Sequence, residues 1–242
     1  MSEQPDSHTA GRQVVIEMWT DLGCPWCYLG KHRLQTAIER HPDADRFVIR
    51  LRSFELNPNA PRRPETIASA FMRSHGGDME TVRRAERQIH ALAHSEGLPF
   101  SLERLNANTF DVHRVLQYAN EEDRGLAFFS LVQDRHFAGE MDPFDPDELA
   151  RAAKTVGLSA HRVREVLASS EYGASVRSDQ AEGRALGITG VPFTVFDRRF
   201  AMSGAQSVEA YAEVLAKTVP LTRRLTATGG QSCTTPLRRN LK

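Results

Sequence analysis

Cys24 and Cys27 are the residues of this sequence whose type and spacing point most directly to chemistry. Only Pro25 and Trp26 separate them, and the third cysteine, Cys233, lies far away near the end of the chain. Two thiols at this spacing can close a short-loop disulfide and reopen it, which is the chemistry of a dithiol redox centre. The two intervening residues are expected to shape the hydrogen bonds of the thiols and to contact the substrate.

The surroundings of the pair assign a role to each thiol. An apolar strand is predicted over 13–19, a turn follows at 21–23, and a helical spacing of small and apolar residues begins at Cys24. A helix N-terminus stabilises negative charge, so Cys24 is predicted to be the attacking thiolate. Cys27 follows one turn later and should be less exposed, so it is predicted to resolve the mixed disulfide.

Three other interpretations of the pair stay open at this point. Zinc needs four ligands, and the sequence has no second pair of this kind; His32 alone would add a third ligand. A structural disulfide is disfavoured in a reducing compartment. Two inert buried thiols are the main alternative, and the position of the pair between a strand and a helix argues against it.

Composition and charge limit the classes of partner. The chain has 242 residues with 31 basic and 31 acidic side chains, so net charge gives no reason to expect nucleic acid or an anionic membrane as partner. No apolar run approaches the roughly 20 residues of a membrane span. The polar start over 1–13 lacks the apolar core of a secretory signal, so a cytoplasmic location is expected. No metal or resident cofactor is predicted.

The order of predicted elements indicates an α/β protein. The strand at 13–19, the helix after it and a second strand at 47–54 form a βαβ unit. A hairpin at 193–203 and a helix at 208–219 follow much later. This is the βαβ…ββα plan of a thioredoxin-like fold with a large all-helical insertion.

Between these two parts the hydrophobic pattern is helical. Seven helices are predicted, and they span 65–74, 79–96, 112–120, 125–138, 146–156, 160–168 and 172–186. Asp78, Asp145, Ser159 and Ser207 are predicted N-caps. The chain therefore divides into a thioredoxin-like domain at 13–62 and 187–219, a helical insertion domain at 63–186, and a flexible basic tail at 220–242.

Val191 and Pro192 form a second candidate element of the site. The proline opens a predicted strand, where it removes a backbone donor, so a special purpose is expected. In the thioredoxin plan this peptide bond is cis and packs opposite the redox pair, which leaves the Val191 backbone free to pair with an extended substrate. An ordinary trans turn is the alternative, since only about 5–6% of X-Pro bonds are cis.

Together these motifs resemble the FrnE-type branch of the DsbA family. The resemblance covers roughly Val14 to Val219. The matching segments are Met18-Trp19, Asp21-Leu22-Gly23-Cys24-Pro25-Trp26-Cys27-Tyr28-Leu29-Gly30, Phe54-Glu55-Leu56-Asn57-Pro58, Asn108-Thr109-Phe110-Asp111-Val112-His113-Arg114, Gly190-Val191-Pro192-Phe193 and Ser203-Gly204-Ala205-Gln206.

The resemblance implies dithiol oxidoreductase or disulfide isomerase activity on protein thiols and disulfides. The same superfamily contains the 2-hydroxychromene-2-carboxylate isomerases and the kappa-class glutathione transferases, which typically place serine where Cys24 stands. The two cysteines favour redox chemistry, yet a glutathione-dependent isomerase or transferase remains the alternative, and glutathione is a possible co-substrate or partner. The family also often has a buried carboxylate beneath the resolving cysteine, for which Glu17 and Asp21 are candidates.

Further substrate contacts are predicted in two loops. Asn57 lies in the loop after the second strand, and Asn108, Thr109 and His113 lie at the start of a predicted helix. One interpretation is that Asn108 and His113 line a cleft above Cys24 and select the substrate. The other is that Thr109 caps the helix and that His113 is a hydrogen-bonded packing residue.

Overall fold

The structure is a computed structural model that describes residues 12–75 and 79–219. Its strands are β1 (Val14–Thr20), β2 (Phe47–Ser53), β3 (Glu65–Thr66), β4 (Leu105–Asn106), β5 (Phe193–Phe196) and β6 (Phe200–Ser203). Its α-helices are α1 (Pro25–Glu39), α2 (Ile67–His75), α3 (Met79–Ser95), α4 (Phe110–Glu121), α5 (Gly125–Ala138), α6 (Pro146–Thr155), α7 (Ala160–Ala168), α8 (Gly173–Ala185) and α9 (Val208–Thr218).

A four-stranded sheet with the order β2-β1-β5-β6 forms the centre of the fold. β1 pairs with β2 in parallel, while β5 runs antiparallel to both β1 and β6. Six of the seven residues of β1 are buried, as expected of a central strand with packing on both faces. This arrangement confirms the predicted thioredoxin-like fold with a helical insertion.

Helix α1, which contains Cys27, packs against α9, the last helix of the fold. Ser207 caps α9, since its hydroxyl accepts a hydrogen bond from the Ala210 N–H at 3.2 Å. Asp145 and Ser159 cap α6 and α7 in the same way, as their positions in the sequence predict. These caps fix where each helix begins and therefore which face it turns to the core.

The insertion packs on the sheet instead of standing apart from it. Helices α4, α5 and α8 all contact β2. One hydrophobic cluster joins Ile16 and Met18 of β1 to Val112 of α4 and Phe128 of α5. The two predicted domains thus share a core, and the position of the insertion relative to the redox helix is set by that core.

The insertion also contains a feature that the sequence analysis did not predict. β3 and β4 form a two-residue antiparallel ladder that pairs Glu65 with Asn106 and Thr66 with Leu105. β3 takes the first two residues of the helix predicted at 65–74, so α2 begins at Ile67. Two residues are too few for a period-2 pattern to be visible in a sequence.

Some predictions fall outside the described residues. These are the N-cap at Asp78, the basic tail at 220–242 and its thiol, Cys233. Within the described ranges, none of the helices combines the length and the apolar character that crossing a membrane requires.

Candidate active site

Cys24 occupies the N-cap of α1, next to the loop that leads into β5. Its Sγ donates a hydrogen bond to the carbonyl oxygen of Val191 at 3.5 Å. Pro25 takes the first helical position, where its missing N–H is not needed. The first turn of α1 has no acidic residue. The positive end of the helix dipole therefore lies at Cys24.

Cys27 lies one turn along α1 and is fully buried, whereas Cys24 keeps 4% of its surface exposed. Burial raises the pKa of the Cys27 thiol well above its usual value, and the hydrogen bond to Cys24 and the charge of Cys24 add to this. The Asp21 backbone and the Thr20 side chain act in the opposite direction and lower the pKa of the Cys27 thiol. Both cysteines are free thiols. The pair is therefore asymmetric, with one thiol at the helix N-terminus and one beneath it.

The loop opposite the pair is held against α1. The Val191–Pro192 peptide bond is cis, and Pro192 packs against Gly30, where a Cβ atom would lie 3.0 Å from Cγ of the proline. The Pro192 carbonyl accepts a hydrogen bond from the Gly204 N–H at 2.8 Å. Trp26 is 44% exposed, unusual for so large an apolar side chain. The structure thus brings six predicted site residues together, from Cys24 to Cys27 and from Val191 to Pro192.

The two candidate carboxylates differ in their surroundings. Glu17 is paired with Arg198 and, at 3.7 Å, with Arg52. Asp21 is also buried, and its carboxylate accepts hydrogen bonds from His113 Nε2 at 3.1 Å and from the Leu56 N–H at 2.7 Å. Of these two residues, only Asp21 affects the pKa of Cys27, and it does so through its backbone.

A groove of about 530 Å³ runs from the redox turn to the wall formed by α2 and α3. Gly23 and Pro25 form one side, Leu56 and Asn57 another, and Arg104 the far wall. The remaining lining residues are Asp21, Ala60, Ile67, Ala70, Arg73, Glu86, Asn106, Ala107 and Thr109. Cys24 is not among the lining residues, but its two chain neighbours Gly23 and Pro25 are. A groove with both apolar and polar lining suits an extended peptide or a small polar compound.

The other predicted contact residues have different positions. Asn57 lines the groove. Asn108 is not among the lining residues. Its Nδ2 holds the loop that carries Asn57, because it donates to Glu55 Oε1 at 3.2 Å and to the Pro58 carbonyl at 3.1 Å. His113 does not reach the groove, since its side chain is fully buried in the core beneath Asp21. This position agrees with the interpretation of His113 as a hydrogen-bonded packing residue, and not with direct contact to a substrate.

The N-terminus of α4 also differs from its expected form. Thr109 is the N-cap residue, but its side chain makes no capping hydrogen bond. The side chain of Asn108 accepts one instead, from the Phe110 N–H at 3.1 Å. Thr109 faces the groove, as the cleft interpretation of this segment predicts.

The sequence matches the DSBA-like thioredoxin domain over residues 15–216. The chain belongs to the DsbA-like thioredoxin family. The match covers the redox helix, the insertion and most of α9, so this DsbA-like chain carries the domain from β1 onward. The FrnE-type branch within the family stays a prediction. The chain matches none of the curated proteins with which it was compared.

Several solved structures are similar to this chain. A probable DsbA oxidoreductase from Streptomyces coelicolor is 34% identical to this DsbA-like chain, with a TM-score of 0.80. The match covers 93% of this chain and 100% of the Streptomyces chain. A 2-hydroxychromene-2-carboxylate isomerase is 15% identical, with a TM-score of 0.60 and coverage of 84% and 95%. The cytosolic disulfide reductase DsbM from Pseudomonas aeruginosa, solved with GSH, is 16% identical, with a TM-score of 0.57 and coverage of 86% and 100%. The last two share the fold.

Two groups at the site were not found from the sequence. Thr20 ends β1 and its side chain lowers the pKa of Cys27, but a threonine at the end of a strand gives no signal of this in a sequence. Leu56 is 49% exposed on the groove, and its N–H binds Asp21. The segment around Leu56 was noted only as a family motif, and its contact with Asp21 joins residues 35 positions apart.

Proposed function

We propose that this protein is a thiol–disulfide oxidoreductase or isomerase that acts on protein disulfides, with Cys24 as the nucleophile and Cys27 as the resolving thiol. The observation that carries the proposal is the position of Cys24 at the N-cap of α1, with its Sγ 3.5 Å from the Val191 carbonyl. A helix N-terminus is a typical position for a nucleophilic cysteine, and the backbone of Val191 lies beside it.

In the reducing direction, the Cys24 thiolate attacks one sulfur of a substrate disulfide. A Cys24–substrate disulfide forms, and the other substrate sulfur leaves as a thiolate that takes a proton from water. Cys27 then attacks Cys24 Sγ, so the Cys24–Cys27 disulfide forms and the second substrate sulfur leaves as a thiolate, which takes up the proton that Cys27 gives up. The dithiol is oxidised by two electrons, and a low-molecular-weight thiol such as glutathione is the proposed reductant that restores it.

The different surroundings of the two thiols also affect when Cys27 can attack the mixed disulfide. In the free enzyme, the charge of Cys24 and its hydrogen bond help to raise the pKa of Cys27. In the mixed disulfide, Cys24 carries no charge, so one cause of the raised pKa is removed. Cys27 therefore becomes easier to deprotonate at the stage when its attack is needed.

Substrate recognition is proposed to use the groove and the loop opposite the pair. Val191 offers backbone groups to an extended chain, and Trp26 and Asn57 offer side chains at the surface. Pro25 shapes the end of the groove at the thiol, and Asn108 holds the loop behind it. Pro192 is buried and positions Val191.

The test is an equilibrium titration of the full chain in glutathione redox buffers, with thiols trapped by an alkylating mass tag. A reversible two-electron transition is expected, and it should disappear in Cys24→Ser and in Cys27→Ser. A midpoint near about −270 mV indicates a reductase, and about −180 to −120 mV an isomerase or oxidase. A pair that never cycles contradicts the proposal.

A second candidate is a glutathione-dependent isomerase or transferase. The groove beside Cys24 supports it, as does the fold shared with 2-hydroxychromene-2-carboxylate isomerase and with DsbM solved with GSH. This candidate predicts turnover of a small molecule that survives Cys27→Ser, whereas disulfide exchange does not. The proposal also includes a cytoplasmic location, the compartment that DsbM's description gives for that protein.

A further inference from the structure

The guanidinium of Arg33, on α1, joins the helical insertion to the turn that follows β6. Its Nε donates to both carboxylate oxygens of Glu96 at 3.0 Å, and its Nη2 donates to the same carboxylate. Its Nη1 donates to the carbonyl oxygens of Ala205 at 3.2 Å and Gln206 at 3.4 Å. Only 14% of the Arg33 side chain and 22% of the Glu96 side chain are exposed. A planar guanidinium that is bound on two sides holds both partners in one arrangement.

The position of Glu96 is fixed by the end of α3. Its N–H donates to the Ala93 carbonyl at 3.0 Å, and the Leu98 N–H donates to the same oxygen at 2.9 Å. Ala93 is fully buried and belongs to one hydrophobic cluster with Leu29 of α1. The carboxylate that binds Arg33 is therefore held by the core between α1 and the insertion.

On the other side of Arg33, the turn at 204–206 contacts the loop that carries Val191. The Gly204 N–H donates to the Pro192 carbonyl at 2.8 Å, so one hydrogen bond joins the turn to the cis peptide bond. Ala205 packs against α1 beside the same proline. A displacement of this turn would therefore displace Pro192 and, with it, the Val191 backbone.

We propose that Arg33 is a positioning residue that keeps the Val191 backbone in place for an extended substrate. The guanidinium holds the turn at 204–206, the turn holds Pro192, and Pro192 holds Val191. The inference rests on the proposed function, because it concerns how the Val191 loop recognises a protein substrate. Through Glu96, it also gives the helical insertion a part in that recognition.

The proposal predicts a difference between large and small reaction partners. A disulfide-linked peptide would pair with Val191 and depend on its position, whereas iodoacetamide reacts with the Cys24 thiolate without pairing with the loop. Cys27 is fully buried, so alkylation of the reduced protein reports on Cys24. Weaker peptide binding with unchanged alkylation therefore distinguishes a displaced Val191 loop from an altered thiol.

The experiment measures KM and kcat of the full chain for a disulfide-linked fluorescent peptide, with glutathione as reductant, and the rate of Cys24 alkylation by iodoacetamide. Arg33→Met keeps an unbranched side chain but removes every donor. We expect it to raise KM about tenfold, the usual effect of one lost hydrogen bond, with kcat and alkylation within about twofold of wild type. Arg33→Lys keeps the charge opposite Glu96 but lacks the planar fork that reaches both sides, so KM should rise about threefold.

Arg162→Met is the matched control, since Arg162 of α7 also pairs with a carboxylate, that of Glu171. It should leave the peptide KM at the wild-type value. A folded Arg33→Met with a wild-type KM overturns the inference, and so does an Arg162→Met that raises KM equally. An alkylation rate that falls in step with kcat/KM also overturns it, because the effect would then lie at the thiol. Wild-type protein that does not reduce the peptide contradicts the proposed function instead, and this is seen before any variant is made.

Two milder variants apply if Arg33→Met does not fold. Glu96→Gln keeps an acceptor for the guanidinium but removes its charge, so KM should rise about threefold, as in Arg33→Lys. The alkylation rate of Cys24 should again stay close to that of wild type. A wild-type KM in both Glu96→Gln and Arg33→Lys overturns the inference.

Discussion

The thiol of Cys24 and the carbonyl oxygen of Val191 lie 3.5 Å apart, although 167 positions separate them in the sequence. The insertion fills most of that interval, and it packs on the sheet through the core that it shares with β1. The active site therefore depends on contacts that hold the Val191 loop against α1. At one of these contacts, between Gly30 and Pro192, the packing leaves no room for a further side-chain atom.

Gly30 of α1 is packed directly against this loop. A Cβ atom at Gly30 would lie 3.0 Å from Cγ of Pro192 and 3.3 Å from Cα of Ala205, and neither group can rotate away. We expect Gly30→Val to lower the free energy of unfolding by about 1–3 kcal/mol because it overpacks this contact. It should also slow disulfide exchange by displacing Val191. Urea denaturation and the exchange assay measure the two effects.

Gly190→Ala is the control for this prediction. A Cβ atom at Gly190 meets nothing within 4 Å, although the residue lies in the same loop. The free energy of unfolding should change by no more than about 0.5 kcal/mol. Equal losses in both variants would mean that the loop tolerates no side chain anywhere, and the specific contact with Pro192 would not be the cause.

Elements of both the thioredoxin core and the insertion could be predicted from the sequence because their signals are local. The hairpin strands at 193–196 and 200–203 have the predicted bounds, as do the helices at 125–138 and 160–168. Apolar periodicity and capping residues carry that information within ten or so positions. The β3–β4 ladder and the shared core depend on contacts between distant segments, which one sequence does not reveal.

Trp26 is an exposed apolar side chain between the two cysteines. Because it is 44% exposed, Trp26→Ala should change the free energy of unfolding by less than about 0.5 kcal/mol. The same change should raise KM for a disulfide-containing peptide about tenfold if the indole packs on the substrate. Steady-state kinetics with that peptide and a denaturation curve separate the two quantities.

Leu186→Ala is the matched control for Trp26→Ala. Leu186 is similarly exposed, at 48%, but lines a separate pocket beside β5 and β6. KM should stay at its wild-type value in this variant. If both variants raise KM equally, the loss reflects general surface hydrophobicity, and Trp26 has no specific contact with the substrate.

Lys31 is a buried cation one turn after Cys27. Burial lowers the pKa of Lys31 from 10.5 to about 8, although the charge of Asp134 opposes the shift. Between pH 8 and 10.5 the unfolded state binds more protons at Lys31 than the folded state does. The contribution of Lys31 to the free energy of unfolding therefore increases as pH rises. Below pH 8 the charged amine destabilises the fold by up to about 3 kcal/mol.

Lys31→Met should therefore stabilise the protein by about 1–3 kcal/mol at pH 7, and the gain should shrink towards pH 10. Urea denaturation at pH 7 and at pH 10 measures this difference. Lys154→Met is the control, since Lys154 is exposed and no large change is expected at either pH. A loss of stability in Lys31→Met at pH 7 would contradict this account and indicate a favourable buried ion pair.

The arrangement of the candidate site was only partly visible in the sequence. The helix start at Cys24, the proline that opens β5 and the approach of the two could be predicted, because the residue types are distinctive and the order of elements indicates the fold. His113 belongs to a motif segment, but whether it faces the groove or the core depends on how α4 packs. The contacts of Asp21 with Leu56 and His113 cross 35 and 92 positions, and no local pattern reports such distances.

Thr20 provides a direct test of how the resolving thiol is controlled. Its side chain lowers the pKa of the Cys27 thiol against the larger effect of burial. Thr20→Val keeps the shape but removes the hydroxyl, so the Cys27 pKa should rise and resolution at pH 7 should slow about tenfold, the effect of one lost hydrogen bond. Alkylation rates of Cys27 against pH, in a Cys24→Ser background, measure that pKa.

Thr20→Ser is the matched control because it keeps the hydroxyl and loses only a methyl group. Its Cys27 titration should stay close to that of wild type, although its free energy of unfolding should fall by about 1 kcal/mol because the residue is buried. The two variants thus separate hydrogen bonding from packing. If Thr20→Val titrates like wild type while Thr20→Ser does not, the methyl group matters and the hydroxyl has no part in controlling Cys27.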